Sequence, residues 1–172
     1  MKALTVGFVI SGLLLGGGIA NVVNAGVKTS VVAEYSIGPS YPNFQGSSAT
    51  LIQRKNHEGK TVELRAIVNS GNKAFLKYFS PKKLDEIQFA INKVKTEQGF
   101  KNYAYYYLCD APAIDISTPK KDLSIISICG PKPEDGTALP EPSQDVLTLK
   151  NTLSQIYYTT INSYDAVAEI KP

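Results

Sequence analysis

The chain has no tryptophan, one methionine (Met1), one histidine and two cysteines in 172 residues. A lone histidine, His57, excludes a multi-histidine zinc site. Cys109 and Cys129 are too far apart in sequence for a C-x-x-C redox motif. Glu134-Asp135-Gly136 lacks the alternating oxygen ligands of a calcium loop. There is no G-x-S-x-G, and so no nucleophile elbow of that kind. No long run of one charge sign occurs. Basic and acidic side chains are interspersed, which leaves neither a nucleic-acid stripe nor a polybasic membrane patch. No cofactor and no nucleic-acid partner are therefore expected.

What is present begins with an address. Lys2 is the only charge before Lys28, and the run from Ala3 to Ile19 is apolar. It closes on small residues, Val23-Asn24-Ala25. A basic start, an apolar middle and small residues at −3 and −1 form a secretory leader. Cleavage is predicted after Ala25, with Ala20 as the second choice. The stretch from Ala3 to Val23 is also long enough to span a bilayer, and Gly12 and Gly16 have a helix-packing spacing. Gly16-Gly17-Gly18 and the missing basic stop-transfer cluster favour cleavage, so no stable membrane anchor is expected. The leader covers residues 1–25, and one exported domain covers residues 26–172, in the periplasm or secreted. That length suffices for one hydrophobic core. One unit of the formal charge of +3 leaves with Lys2.

In an oxidising compartment an even cysteine pair reads as a structural disulfide, Cys109–Cys129, with a redox or metal pair as the alternative. Strands are predicted over 28–37, 48–55 and 60–69. The last alternates well: Val62, Leu64, Ala66 and Val68 lie on one face, and Thr61, Glu63, Arg65, Ile67 and Asn69 on the other. Asn56-His57-Glu58-Gly59 is turn chemistry, which makes the second and third strands a hairpin. Ser70-Gly71-Asn72 ends the pattern. Ser80-Pro81 opens a helix, with Leu84, Ile87, Ile91 and Val94 on one stripe and Gly99 as its stop.

The run Tyr103-Ala104-Tyr105-Tyr106-Tyr107-Leu108-Cys109 is strand-prone. A hairpin centred on Pro119 would set Cys109 opposite Cys129, with Thr118-Pro119-Lys120 as its turn, although Pro112 then demands an edge or a bulge. Pro131, Pro133, Pro140 and Pro142 make the next segment a stiff connection. Ser143 caps a last helix striped by Val146, Leu149, Leu153 and Ile156, whose period Tyr164 and Val167 continue. The expectation is a compact α+β domain: a mainly antiparallel sheet of about five strands packed with two helices, in the order βββ-α-ββ-α.

Three short patterns suggest catalysis and fail on context. Gly59-Lys60-Thr61 resembles the end of a phosphate-binding loop, but Arg54 stands where that loop needs glycine. Ser80-Pro81-Lys82-Lys83 matches S-x-x-K, the nucleophile pattern of penicillin-binding enzymes and β-lactamases. Its companion S-D-N and K-T-G motifs are missing, and helix capping explains Ser80. Ser117-Thr118-Pro119-Lys120 matches the same pattern. Tyr103, Tyr105 and Tyr107 share one strand face and are the candidate ligand-binding residues, since tyrosine joins an apolar body to a polar tip. Packing against a helix or a neighbouring strand is the alternative. The chain is expected to be an exported, non-catalytic binding module for a small ligand or an envelope or extracellular protein. A structural or host-facing interaction protein and an unrecognised hydrolase are the other readings.

Overall fold

Alternating strands joined by tight turns account for the first half of the domain. The computed structural model describes residues 23–24, 27–39, 46–97, 100–163 and 166–169. Apart from Val23 and Asn24, the expected leader lies outside them. The elements are β1 (Val23–Asn24), β2 (Val27–Ile37), β3 (Ser47–Lys55), β4 (Thr61–Ser70), β5 (Lys73–Phe79), α1 (Pro81–Glu97), β6 (Asn102–Tyr106), β7 (Ile114–Thr118), β8 (Lys121–Ile128), α2 (Gln144–Ile161) and β9 (Ala166–Glu169). All the strands join one sheet, ordered β6-β8-β7-β2-β3-β4-β5-β9, with two-residue β1 against β2. Every pairing is antiparallel except β6 with β8. The architecture is thus the expected α+β class, with more strands than the sequence patterns show.

The β3–β4 hairpin forms as its turn residues dictate. The Asn56 side-chain oxygen accepts from the backbone N–H of Glu58 and of Lys60, at 3.1 and 2.9 Å. Gly59 takes the left-handed conformation there, at φ +79°. Leu64, Ala66 and Val68 are fully buried. β5 follows through a two-residue Gly71-Asn72 turn, with Ser70 opposite Lys73. Its sequence hides it, because both of its faces carry apolar residues and no alternation shows. Phe79 and Phe75 stand opposite Leu64 and Val68 and pack on the core, while Leu76 and Tyr78 take the other face.

α1 leaves β5 at one flank of the sheet and delivers the chain to β6 at the other, so it must cross one face. Leu84, Ile87, Ile91 and Val94 are buried, as their stripe predicts. Gly99 lies outside the described residues. α2 packs beside α1, and Lys93 reaches Asp145 in the first turn of α2 at 3.7 Å. A carboxylate there also faces the positive end of the helix dipole. The Ser143 hydroxyl accepts from the Val146 N–H at 3.4 Å. Val146, Leu149, Leu153 and Ile156 fill the space over the sheet. α2 ends at Ile161, and Val167 belongs instead to β9 on the β5 edge. The expected helical continuation is thereby corrected, and Tyr164 lies outside the described residues. β-Branched and aromatic residues from Tyr157 onward weaken the helix, and β5 offers an open edge to pair with.

The expected single hairpin from Tyr103 to Cys129 is also corrected. β7 and β8 do form a hairpin, but with the two-residue turn Pro119-Lys120 and Thr118 opposite Lys121. β6 is separate and runs parallel to β8 on its far side, with Tyr103 opposite Ile125. The proline-rich segment then runs along β6. Ala104 N–H donates to Pro140 O at 3.0 Å, and the Tyr106 hydroxyl donates to Leu139 O at 3.0 Å. It shields an edge strand that would otherwise offer free backbone groups. Among the described residues, no helix is long and apolar enough to cross a membrane.

Candidate functional site

Because β6 and β8 run parallel, they end on the same side of the sheet. The chain must then reach β7, which lies beyond β8, within residues 107–113. This segment passes over the end of β8. Such a short crossing needs sharp backbone turns, and Tyr107 and Asp110 both adopt φ +60°. Aspartate tolerates that region better than most residues, whereas tyrosine does so at a cost.

Three contacts pin the crossing. Tyr107 N–H donates to Gly130 O at 3.0 Å. The Cys109–Cys129 disulfide joins the crossing to the chain just past the end of β8, with the Cα atoms 4.5 Å apart. Gly38 N–H, just past the end of β2, donates to Ala113 O at 2.7 Å. A Cβ at Gly38 would sit 3.3 Å from that oxygen, a tight contact that would ask the Ala113 backbone to give by a few tenths of an ångström. The expected disulfide is present, in a different setting: it ties the crossing to the residue just past the end of β8 and does not join the two limbs of one hairpin.

The three candidate tyrosines do not converge on one surface. Tyr103 is fully buried in the core, with Lys101 Nζ 5.8 Å from its ring centre. Tyr105 is partly buried and packs against the core. Burial raises the pKa of both phenols above the ordinary value. Tyr107 lies past the end of β6 and is 76% exposed, and Leu108 beside it is 42% exposed. The strand face ends at Tyr106, so the period of two that aligned the three tyrosines does not reach Tyr107. Leu108, Asp110 and Gly130 escaped the sequence reading. Asp110-Ala111-Pro112 was a usable signal, since aspartate and proline mark a turn.

A second tyrosine group knits α2 to the start of β3. The Tyr157 and Ser47 hydroxyls share a hydrogen bond of 2.6 Å. The Tyr157 ring lies 6.1 Å from Tyr35 and 5.0 Å from Tyr158. Tyr35 is buried and hydrogen-bonded to Ser154, and its pKa is raised mainly by that burial. These contacts lock the helix to the sheet.

The catalytic patterns resolve into local structure. Lys83 Nζ pairs with Glu86 at 2.5 Å, on the first turns of α1. Gly59-Lys60-Thr61 closes the β3–β4 hairpin, and Thr118 bonds Lys121 across the β7–β8 turn. His57 sits exposed in a turn, 3.8 Å from Glu58. Among the described residues, no three His, Cys, Asp or Glu side chains converge as metal ligands. Comparison of the chain with known protein families, with curated proteins and with solved structures finds no match.

Proposed function

We propose that this protein is an exported, non-catalytic binding module, and that the Tyr107–Leu108 tip of the crossing docks into a protein partner outside the cytoplasm. One observation carries this reading: a large aromatic side chain, 76% exposed, stands on backbone already pinned by a disulfide and a hydrogen bond. Binding through a preordered segment avoids the entropic cost of ordering it, and tyrosine is a frequent interface anchor. Left-handed backbone at non-glycine residues is a cost that clusters at functional sites. In this reading Tyr103 and Tyr105 act from below, as the packed base that keeps the tip rigid. The exposed disulfide supports an oxidising compartment, the periplasm or the exterior, which is also where the leader expected from the sequence would send the chain.

Site-specific photo-crosslinking tests the proposal. A benzophenone side chain at position 107 of the exported protein should capture one discrete envelope or extracellular protein. The same group at Val62, an exposed apolar residue of β4, should not. A Leu108→Ala variant should weaken capture at position 107. Equal capture at both positions, or none at 107, removes the tip from the account. N-terminal sequencing of the exported protein should begin at Gly26.

A further inference from the structure

A second site lies at the opposite end of β8, where α1 crosses the sheet beside the β7–β8 turn. β2 carries a bulge there: Val31 stands opposite Ile52 and Ala33 opposite Leu51, so Val32 is the extra residue. A bulge bends its strand and re-aims side chains, and bulges recur beside active sites. This one turns Val32 toward the helix, and a cleft of about 250 Å³ opens between them.

The lining divides by chemistry. Val32 and Ile91, both buried, form an apolar floor. Three carboxamides, Gln53, Gln88 and Asn92, stand around it. The Gln53 oxygen accepts from the Thr61 hydroxyl at 3.5 Å, which leaves its NH₂ group to donate. Lys120, in the turn, is the one cation of the lining and makes none of the ion pairs among the described residues. No carboxylate lines the cleft. The complement of one ammonium, several amide donors and a branched apolar floor is a single negative charge with an apolar body. At about 30 Å³ per water, the space equals roughly eight water molecules, which suits a body of amino-acid size.

We infer that this cleft binds the carboxylate of a small apolar acid, supplied either as a free N-acylated amino acid or as the C-terminal residue of a peptide. The carboxylate takes the Lys120 ammonium and the Gln53 and Gln88 carboxamide N–H groups, and the apolar side chain lies on Val32 and Ile91. The site is independent of the Tyr107–Leu108 tip, and either can fail without the other.

Amide NMR of the ¹⁵N-labelled exported protein tests it with four probes: N-acetyl-leucine, its amide, the peptide Ala-Ala-Leu, and that peptide amidated at its C-terminus. The acids should shift the resonances of Val32, Gln88, Ile91 and Lys120 and leave Tyr107 and Leu108 unmoved. Each amidated probe should bind at least about tenfold more weakly than its acid. Lys120→Gln should weaken the acids by a similar factor while leaving the rest of the spectrum in place. Response to the tripeptide alone assigns a peptide terminus, and response to N-acetyl-leucine assigns a free acid. The inference is overturned by no shift with either acid at about 10 mM, a concentration that detects even millimolar binding. Equal response to acid and amide, or unchanged binding by Lys120→Gln, overturns it as well.

Discussion

Two non-glycine residues in left-handed backbone bracket the half-cystine of the crossing. Each position costs a non-glycine side chain about 1 kcal/mol or more. Asp110→Gly removes the Cβ conflict but loosens the unfolded chain, and these effects oppose each other. The net expectation is a gain of about 0.5 kcal/mol, read from urea midpoints, and a loss would show that the Asp110 side chain makes a contact that outweighs its backbone cost. The buried tyrosines predict a pH response. Burial disfavours the phenolate of Tyr35, Tyr103 and Tyr105, so their folded pKa values lie above the ordinary value. The folded protein keeps these protons at pH values where the unfolded chain releases them. Their contribution is complete below about pH 10 and disappears as pH rises through the folded values. Urea midpoints of the wild type should therefore fall as pH rises above about 10. A variant with phenylalanine at all three positions should show a shallower fall, and an equal slope would contradict the assignment. The triple variant also loses the Tyr35–Ser154 hydrogen bond and starts from a lower midpoint, so the comparison is of slopes.

At the scale of elements, the crossing from β6 to β7 is the feature most dependent on its staple. The disulfide spans a sequence separation of 20 residues, and closing a loop of that length stabilises by about 3 kcal/mol in the chain-entropy model. Replacing both Cys109 and Cys129 by serine should lower the unfolding free energy by about that amount. Hydrogen exchange should accelerate first at Tyr107 N–H and Gly38 N–H, which hold the two ends of the crossing, before the β3–β4 ladder responds. Uniform acceleration across the sheet would show that the staple acts only on the unfolded chain. The β4–β5 hairpin depends on a smaller feature: Gly71 turns with φ +59°. Gly71→Ala should cost about 1 kcal/mol by thermal melt, because alanine brings a Cβ into left-handed backbone.

For the whole molecule, two helices cover one face of the sheet, and their shared apolar layer carries the stability. Leu153 is fully buried in that layer, so Leu153→Ala should cost about 2–5 kcal/mol, the larger values applying if the cavity stays open. Local pattern was enough for the parts of the fold built from neighbours in sequence. The alternation in β4, the Asn56–Gly59 turn and the stripes of α1 and α2 are readable because a half-buried strand or helix repeats its burial at a fixed period. The pairing of Cys109 with Cys129 was readable from their even number and the leader-like pattern at the start of the sequence. Local pattern did not reveal β5, which is apolar on both faces, or the strand that replaces the end of α2 at the β5 edge. It also misplaced β6, because a parallel partner lies across a crossing whose cost and pinning contacts are long-range. The tyrosine row shows the same division. A period of two set Tyr103, Tyr105 and Tyr107 on one face, yet the strand ends at Tyr106, and of the three only Tyr107 is largely exposed. By itself the sequence determined the class of fold, the two helices and the identity of the staple, since each follows from composition or short-range period. Only the tertiary structure decided which strands lie side by side, which tyrosine is exposed and where a cleft opens, since those depend on contacts between residues far apart in the chain.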